Sequence, residues 1–249
     1  MELDHQDQDR LLGLDDISPE LLEVAQKKNI VIFGLGGLGC PVALYLSAFG
    51  CQNLNFVDFD TVDQTNLSRQ ILFDIHDLGQ KKVAVSKHKL LQRYPNIKIN
   101  TYEDRLDLNH IDQLILQSDI VFDCTDNFDS RLIIAGYARI HNKWLIAGSV
   151  IRYEAQLAVF SNSRDADCCY GCLYEINNDP MINCEGGGVF PPLAGQVGTY
   201  MASEGIKALI GLCKMTYDLQ AKNVYTCNSV LPKMTGSAMT FTSVSELRL

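Results

Sequence analysis

Between residues 30 and 70 the sequence gathers the groups best suited to phosphate chemistry. Gly34-Leu35-Gly36-Gly37-Leu38-Gly39 follows an apolar run and opens a helical pattern. In that setting a Gly-x-Gly-x-x-Gly turn directs backbone N–H groups and a helix N-terminus at an anion, and glycine permits close approach of the ligand. The same turn also serves helix–sheet packing without any ligand. Asp58 ends the next apolar run and can accept hydrogen bonds from ribose hydroxyls, which suits NAD as well as ATP. What separates the two nucleotides is the polar string that follows: Asp60, Asn66, Arg69, Gln70, Lys81 and Lys82. Cations there can neutralise charge as it moves onto a departing pyrophosphate, a task that NAD binding does not pose. For Lys81 a solvated face is the competing reading.

Further on, Asp123-Cys124-Thr125-Asp126-Asn127 closes another apolar run. It falls at the carboxyl edge, where open α/β sheets bind ligands. Asp126 can hold Mg²⁺ between phosphate oxygens, because hard cations take oxygen ligands and share them with nucleotides. Capping of a following helix by Asp126 or Asn127 stands beside that reading.

The elements that must position these residues follow from periodicity. Strands are expected at Asn29 to Phe33, Leu54 to Val57, Ile97 to Thr101, Ile120 to Phe122 and Trp144 to Ala147. Helices are expected at Gly37 to Phe49, Lys81 to Arg93 and Ile111 to Leu116. This alternation implies a doubly wound, mostly parallel α/β sheet with helices on both faces. Glu154 to Phe160 reads as a strand with no crossover helix before it, so the sheet becomes mixed in its C-terminal part. A helix around Gly198 to Leu212 and strands at Val224 to Cys227 and Met239 to Thr242 complete the expectation.

A chain of 249 residues with 47% hydrophobic and 20% charged residues is long enough for one sizeable core. No stretch approaches the roughly 20 apolar residues of a membrane span, and the polar, acidic amino terminus has no secretion-signal pattern. A cytoplasmic protein is expected. The net charge of −9 allows cations to be focused in one pocket but opposes a nucleic-acid surface. Nine cysteines fit reduced thiols better than a disulfide framework. Cys40, Cys51, Cys124, Cys213 and Cys227 lie in apolar stretches and read as small buried hydrophobes.

Through these blocks the chain resembles the MoeB/ThiF/HesA family, the bacterial relatives of ubiquitin-activating enzymes. The similarity runs through the glycine turn, Asp58-Phe59-Asp60, Asn66-x-x-Arg69-Gln70, Lys82 and Asp123 to Asn127. It continues through Ile151-Arg152-Tyr153-Glu154-Ala155-Gln156 and Pro192-Leu193-Ala194-Gly195-Gln196-Val197-Gly198. The resemblance implies a Rossmann-like fold and a single adenylation domain over residues 1–249, with residues 1–28 as a helical arm and 161–190 as a Cys-containing crossover loop. It implies adenylation of the C-terminal glycine of a ubiquitin-like, β-grasp sulfur carrier ending in Gly-Gly, of the molybdopterin or thiamine type. ATP and Mg²⁺ would be used and pyrophosphate released.

In that scheme Asp58 binds ribose, Asn66, Arg69 and Lys82 meet the phosphates, and Asp126 holds magnesium. Gly34, Gly36, Gly37, Gly39, Asp60, Gln70 and Asn127 complete the nucleotide pocket. Arg10 would reach the nucleotide of a partner subunit, making the enzyme a homodimer. Cys169 and Cys172 match the first of two pairs that hold a structural zinc in the family, but no second Cys-x-x-Cys pair exists, and thiolate zinc takes four ligands. Ala155 replaces the glycine usual before Gln156. Cys184 either attacks the acyl-adenylate or is dispensable in a glycine-rich loop. Adenylation of a peptide or a modified tRNA base, an NAD-dependent oxidoreductase and a non-catalytic scaffold are the alternatives.

Overall fold

The computed structural model describes residues 9–163, 170–173, 188–213, 232–235 and 238–241. Two short helices, α1 (Asp9–Leu12) and α2 (Pro19–Gln26), lead into β1 (Asn29–Phe33). The chain continues through α3 (Gly39–Phe49), β2 (Asn53–Val57), α4 (Lys82–Arg93), β3 (Lys98–Tyr102), α5 (Leu108–Gln117), β4 (Ile120–Asp123), α6 (Phe128–Ile140) and β5 (Trp144–Ile151). After these come β6 (Glu154–Phe160), α7 (Tyr170–Leu173), α8 (Pro191–Leu209), β7 (Pro232–Thr235) and β8 (Ala238–Phe241).

Six strands form one sheet in the order β3-β2-β1-β4-β5-β6. The first five pair in parallel, and β6 returns antiparallel to β5, with Ile151 opposite Glu154. This is the Rossmann-like, mostly parallel sheet with an antiparallel C-terminal part that the sequence predicts. A separate antiparallel pair joins β7 to β8. The expected strand at residues 239–242 is therefore β8, shifted by one residue, whereas the one at 224–227 lies outside the described residues.

Alternation along each strand splits the core into two layers. Ile30, Ile32, Phe56, Phe122 and Ile146 face α3 and α8, while Val31, Phe33, Val121 and Leu145 face α5 and α6. Burial on both faces explains why β1, β4 and β5 read as continuous apolar segments. Helix α8 lies very close to the sheet: a Cβ on Gly205 would stand 2.2 Å from the Phe122 ring, and one on Gly198 would stand 2.3 Å from Pro41. It begins at Pro191, earlier than periodicity suggested, because proline is tolerated in a first turn. Helix α6 was not legible in the sequence. Asn127 starts it, its side chain accepting from the Ser130 N–H at 2.9 Å. Cys40, Cys51 and Cys124 are buried, and Cys213 is half-buried. Burial pushes the Cys40 and Cys51 thiols up to about 12 and the Cys124 thiol well above its usual value, which keeps them unreactive.

Candidate functional site

The connections of β1 run toward β2 on one side, while β4 lies on the other, so the strand order reverses between β1 and β4. Open α/β sheets bind ligands at such a crevice. Here it holds a cavity of about 840 Å³, within the range of small-ligand sites. Gly34, Gly36, Gly37, Asp58, Asp60, Asn66, Arg69, Gln70, Lys82, Asp126 and Asn127 all line it. Residues dispersed over nearly a hundred positions thus share one cavity.

The glycines divide by task. Gly34 sits at φ +89, and its N–H donates to the Val57 carbonyl at 2.8 Å. A Cβ on it would meet the Cys124 carbonyl oxygen at 2.7 Å. A Cβ on Gly39 would stand 1.9 Å from the Gly34 oxygen, and Gly39 does not line the cavity. These two glycines fold the turn. A Cβ on Gly36 would meet, among the described residues, only the Gln70 side chain, at 3.7 Å, so Gly36 presents open backbone to the cavity. Helix α3 starts just behind it with no side-chain cap on its N-terminus. The Cys40 N–H donates to the Gly36 carbonyl at 3.0 Å and Pro41 has none, so the backbone that faces the cavity is that of Gly36, Gly37 and Leu38.

Asp58 is buried and already employed. One of its carboxylate oxygens accepts from the Leu35 N–H at 2.6 Å, the other from the Asp60 N–H at 2.9 Å. It therefore ties the glycine turn to the end of β2 while still lining the cavity. Lys82 is buried at the start of α4, with its Nζ 2.8 Å from the half-exposed Asp60 carboxylate. Arg69 donates to the Thr65 carbonyl at 3.1 Å, and Gln70 donates to Asn66 Oδ1 at 2.5 Å. The Gln70 Oε1 atom is buried with no hydrogen-bond partner among the described residues. Lys81, by contrast, donates to the Phe59 and Glu103 carbonyls and stays out of the cavity.

On the opposite wall Asp126 is exposed beside Thr125 and Asn127. A carboxylate there offers the hard oxygen donor that Mg²⁺ takes beside phosphate oxygens. The cavity has two further arms that motif reading missed. Phe59, Arg105, Leu106, Leu108 and Ile111 border one, the Arg105 guanidinium stacking 4.1 Å from the centroid of the Phe59 ring. Ser149, Ile151, Gln156, Val189 and Ala194 border the other. Only the membership of Phe59, Ile151, Gln156 and Ala194 in quoted blocks hinted at these arms.

Arg10 is exposed on α1 and does not line the cavity. Cys169 and Cys184 lie outside the described residues, as does the side chain of Cys172. Among the described residues no group of three or more His, Cys, Asp or Glu is placed to hold a metal ion. Nor is any helix among them long and apolar enough to cross a membrane.

Comparison with known proteins agrees with this architecture. The ThiF family profile matches residues 8–243. The chain is 37% identical over 203 residues to the sulfur carrier protein ThiS adenylyltransferase of Escherichia coli K12, covering 82% of this chain and 80% of that one. It is also 37% identical over 192 residues to the molybdopterin-synthase adenylyltransferase of the same organism, covering 77% of each. It spans only 41% of the adenylyltransferase and sulfurtransferase MOCS3 of Drosophila virilis, to which it is 37% identical over 185 residues. A crystal structure of E. coli MccB with AMPCPP and MccA superposes with a TM-score of 0.73, at 22% identity over 85% of this chain and 65% of that one, a likeness of fold.

Proposed function

The chain belongs to the ThiF family, and from that premise we propose that residues 1–249 form one adenylation domain that activates the C-terminal glycine of a small ubiquitin-like sulfur carrier. The observation that carries this reading is the shared cavity: Arg69, Lys82 and Asp126 line it together with Gly36. Two of the most similar relatives are adenylyltransferases of the thiamine and molybdopterin type, each 37% identical.

The carrier's terminal carboxylate is ionised at pH 7, so no general base is required. One of its oxygens attacks the α-phosphorus of ATP. The bond from that phosphorus to the bridging oxygen breaks, and pyrophosphate leaves with the electron pair. Alignment and charge neutralisation do the catalytic work. The backbone of Gly36, Gly37 and Leu38 receives the phosphates. Arg69 and Lys82 neutralise charge that grows on the leaving group. Asp58 keeps lone pairs free for ribose hydroxyls beyond its two backbone bonds. Asp126 would hold Mg²⁺, which supplies further charge neutralisation when bound. The arm beside Ser149, Gln156 and Ala194 is open to an extended glycine tail. Arg10, exposed outside its own chain's cavity, is assigned to the nucleotide of a partner subunit in a homodimer.

The test is carrier-dependent exchange of labelled pyrophosphate into ATP, with ThiS-type and molybdopterin-type carriers supplied separately. Exchange with either supports the proposal, and the carrier that works identifies the pathway. Absence of exchange with both, together with thermal stabilisation by NAD but not by ATP, would replace it with an oxidoreductase.

A further inference from the structure

The adenylation scheme gives no task to the most deeply buried acid near the cavity. Asp123 ends β4, is fully buried, and faces the layer that holds α6. It does not line the cavity. Its Oδ1 accepts from both the Thr125 N–H at 3.0 Å and the Thr125 hydroxyl at 2.7 Å. Its Oδ2 is buried with no hydrogen-bond partner among the described residues. From the first turns of α6, the nearly buried Arg131 donates to the Thr125 carbonyl. Every polar atom of Thr125 is therefore held, two by Asp123 and one by Arg131. The segment is pinned at both ends as well, by the Cys124 N–H on the Phe33 carbonyl at 2.8 Å and by the Asn127 cap on Ser130.

Two exposed side chains of this turn line the cavity, Asp126 and Asn127, and that of Asn127 is engaged as the cap of α6. We infer that Asp123 and Arg131 are positioning residues that clamp Thr125 from two sides and so fix the direction in which Asp126 presents its carboxylate to magnesium. The inference rests on the proposed reading of Asp126 as the metal carboxylate. Burying a carboxylate that leaves one oxygen unpartnered costs free energy. A rigid stage for one ligand offsets that cost, because removing groups that orient a metal ligand commonly weakens metal affinity about 10–100-fold.

The experiment is calorimetric titration of ATP with and without Mg²⁺, which gives the factor by which the metal tightens binding, for wild type and for Asp126→Ala, Asp123→Ala, Asp123→Asn and Thr125→Val. Asp126→Ala is expected to abolish the magnesium-dependent gain. Asp123→Ala is expected to cut the gain about tenfold while leaving metal-free ATP affinity unchanged. Asp123→Asn keeps an acceptor oxygen for both Thr125 bonds and is expected to restore most of the gain. Should Asp123→Ala fail to fold, Thr125→Val drops the hydroxyl at nearly constant shape and is expected to lose part of the gain.

An undiminished gain in Asp123→Ala, or in Thr125→Val where Asp123→Ala does not fold, overturns the inference. So does an equal loss of metal-free ATP affinity, which would mark general damage to the fold. A wild type whose gain matches that of Asp126→Ala overturns both the inference and the magnesium reading beneath it, whereas loss of the gain in Asp126→Ala alone leaves that reading standing.

Discussion

Replacing glycines of the 34–39 turn one at a time separates folding from ligand binding. In Gly36→Ala the new methyl meets only the Gln70 side chain, at 3.7 Å, and the backbone is outside the left-handed region. An alanine at such a site restricts the unfolded chain and stabilises by about 0.4–1 kcal/mol, or about 1–4 °C at about 2–4 °C per kcal/mol for a chain of this size. The same methyl stands where a phosphate must approach the backbone. In Gly39→Ala the methyl would lie 1.9 Å from the Gly34 carbonyl oxygen, and only backbone movement relieves the overlap. A cost of about 3 kcal/mol or more is expected, lowering Tm by about 6 °C or more. Thermal melts with and without ATP read both effects. At a ligand concentration of about 100 Kd, binding stabilises the wild type by about 2.7 kcal/mol. A tenfold weaker site retains about 1.4 kcal/mol, so the ATP-induced shift in Gly36→Ala should be halved or smaller. A Gly36→Ala protein with the full ATP shift would refute the assignment of that backbone to phosphate. An unperturbed melt for Gly39→Ala would refute the packing argument.

Lys82→Met fills much the same volume and leaves Asp60 half-exposed to water. Its melt should therefore change little while pyrophosphate exchange falls about 10²-fold or more, and exchange at the wild-type rate would remove Lys82 from the chemistry. Asp58→Ala deletes the acceptor of the Leu35 and Asp60 N–H bonds. Urea denaturation should show a loss of about 2–4 kcal/mol, with Asp58→Asn less severe. Burial raises the pKa of Asp123 despite the opposing Arg131 charge, so the folded state holds that proton to higher pH than the unfolded state does. Stability from this group is present below the unfolded carboxyl value and is lost as pH rises through the folded one. The wild-type Tm should accordingly fall relative to that of Asp123→Asn as pH is raised from about 4, and a constant difference would contradict the burial argument.

Much of this arrangement is legible in residue order. β1, β4 and β5 are short apolar runs because central parallel strands are buried on both faces, whereas β2 and the edge strand β3 alternate. Gly34 to Gly39, Asp58, Arg69, Lys82 and Asp126 stand out by residue type and spacing, since topology carries the ends of parallel strands to one edge, and the family resemblance supplied the role expected of each. Helix α6 was hidden because Gly136 interrupts it and exposed Ile140 blurs its apolar face. The first turns of α8 were hidden behind a pair of prolines.

The sequence by itself determined the α/β alternation, the phosphate turn and the kinds of charge delivered to the sheet edge, because these depend on local periodicity and chain order. Tertiary structure decided which equivalent-looking group does what. Gly36 faces open space while Gly39 closes on a carbonyl. Lys82 enters the cavity while Lys81 turns away to two backbone oxygens. Asp126 faces the cavity, whereas Asp123, three residues earlier, is taken by the pleat of β4 into the layer beneath α6. The physical reason is that a side chain's direction is set by the pleat of its strand and the helices packed against it, and those neighbours arrive from distant parts of the chain.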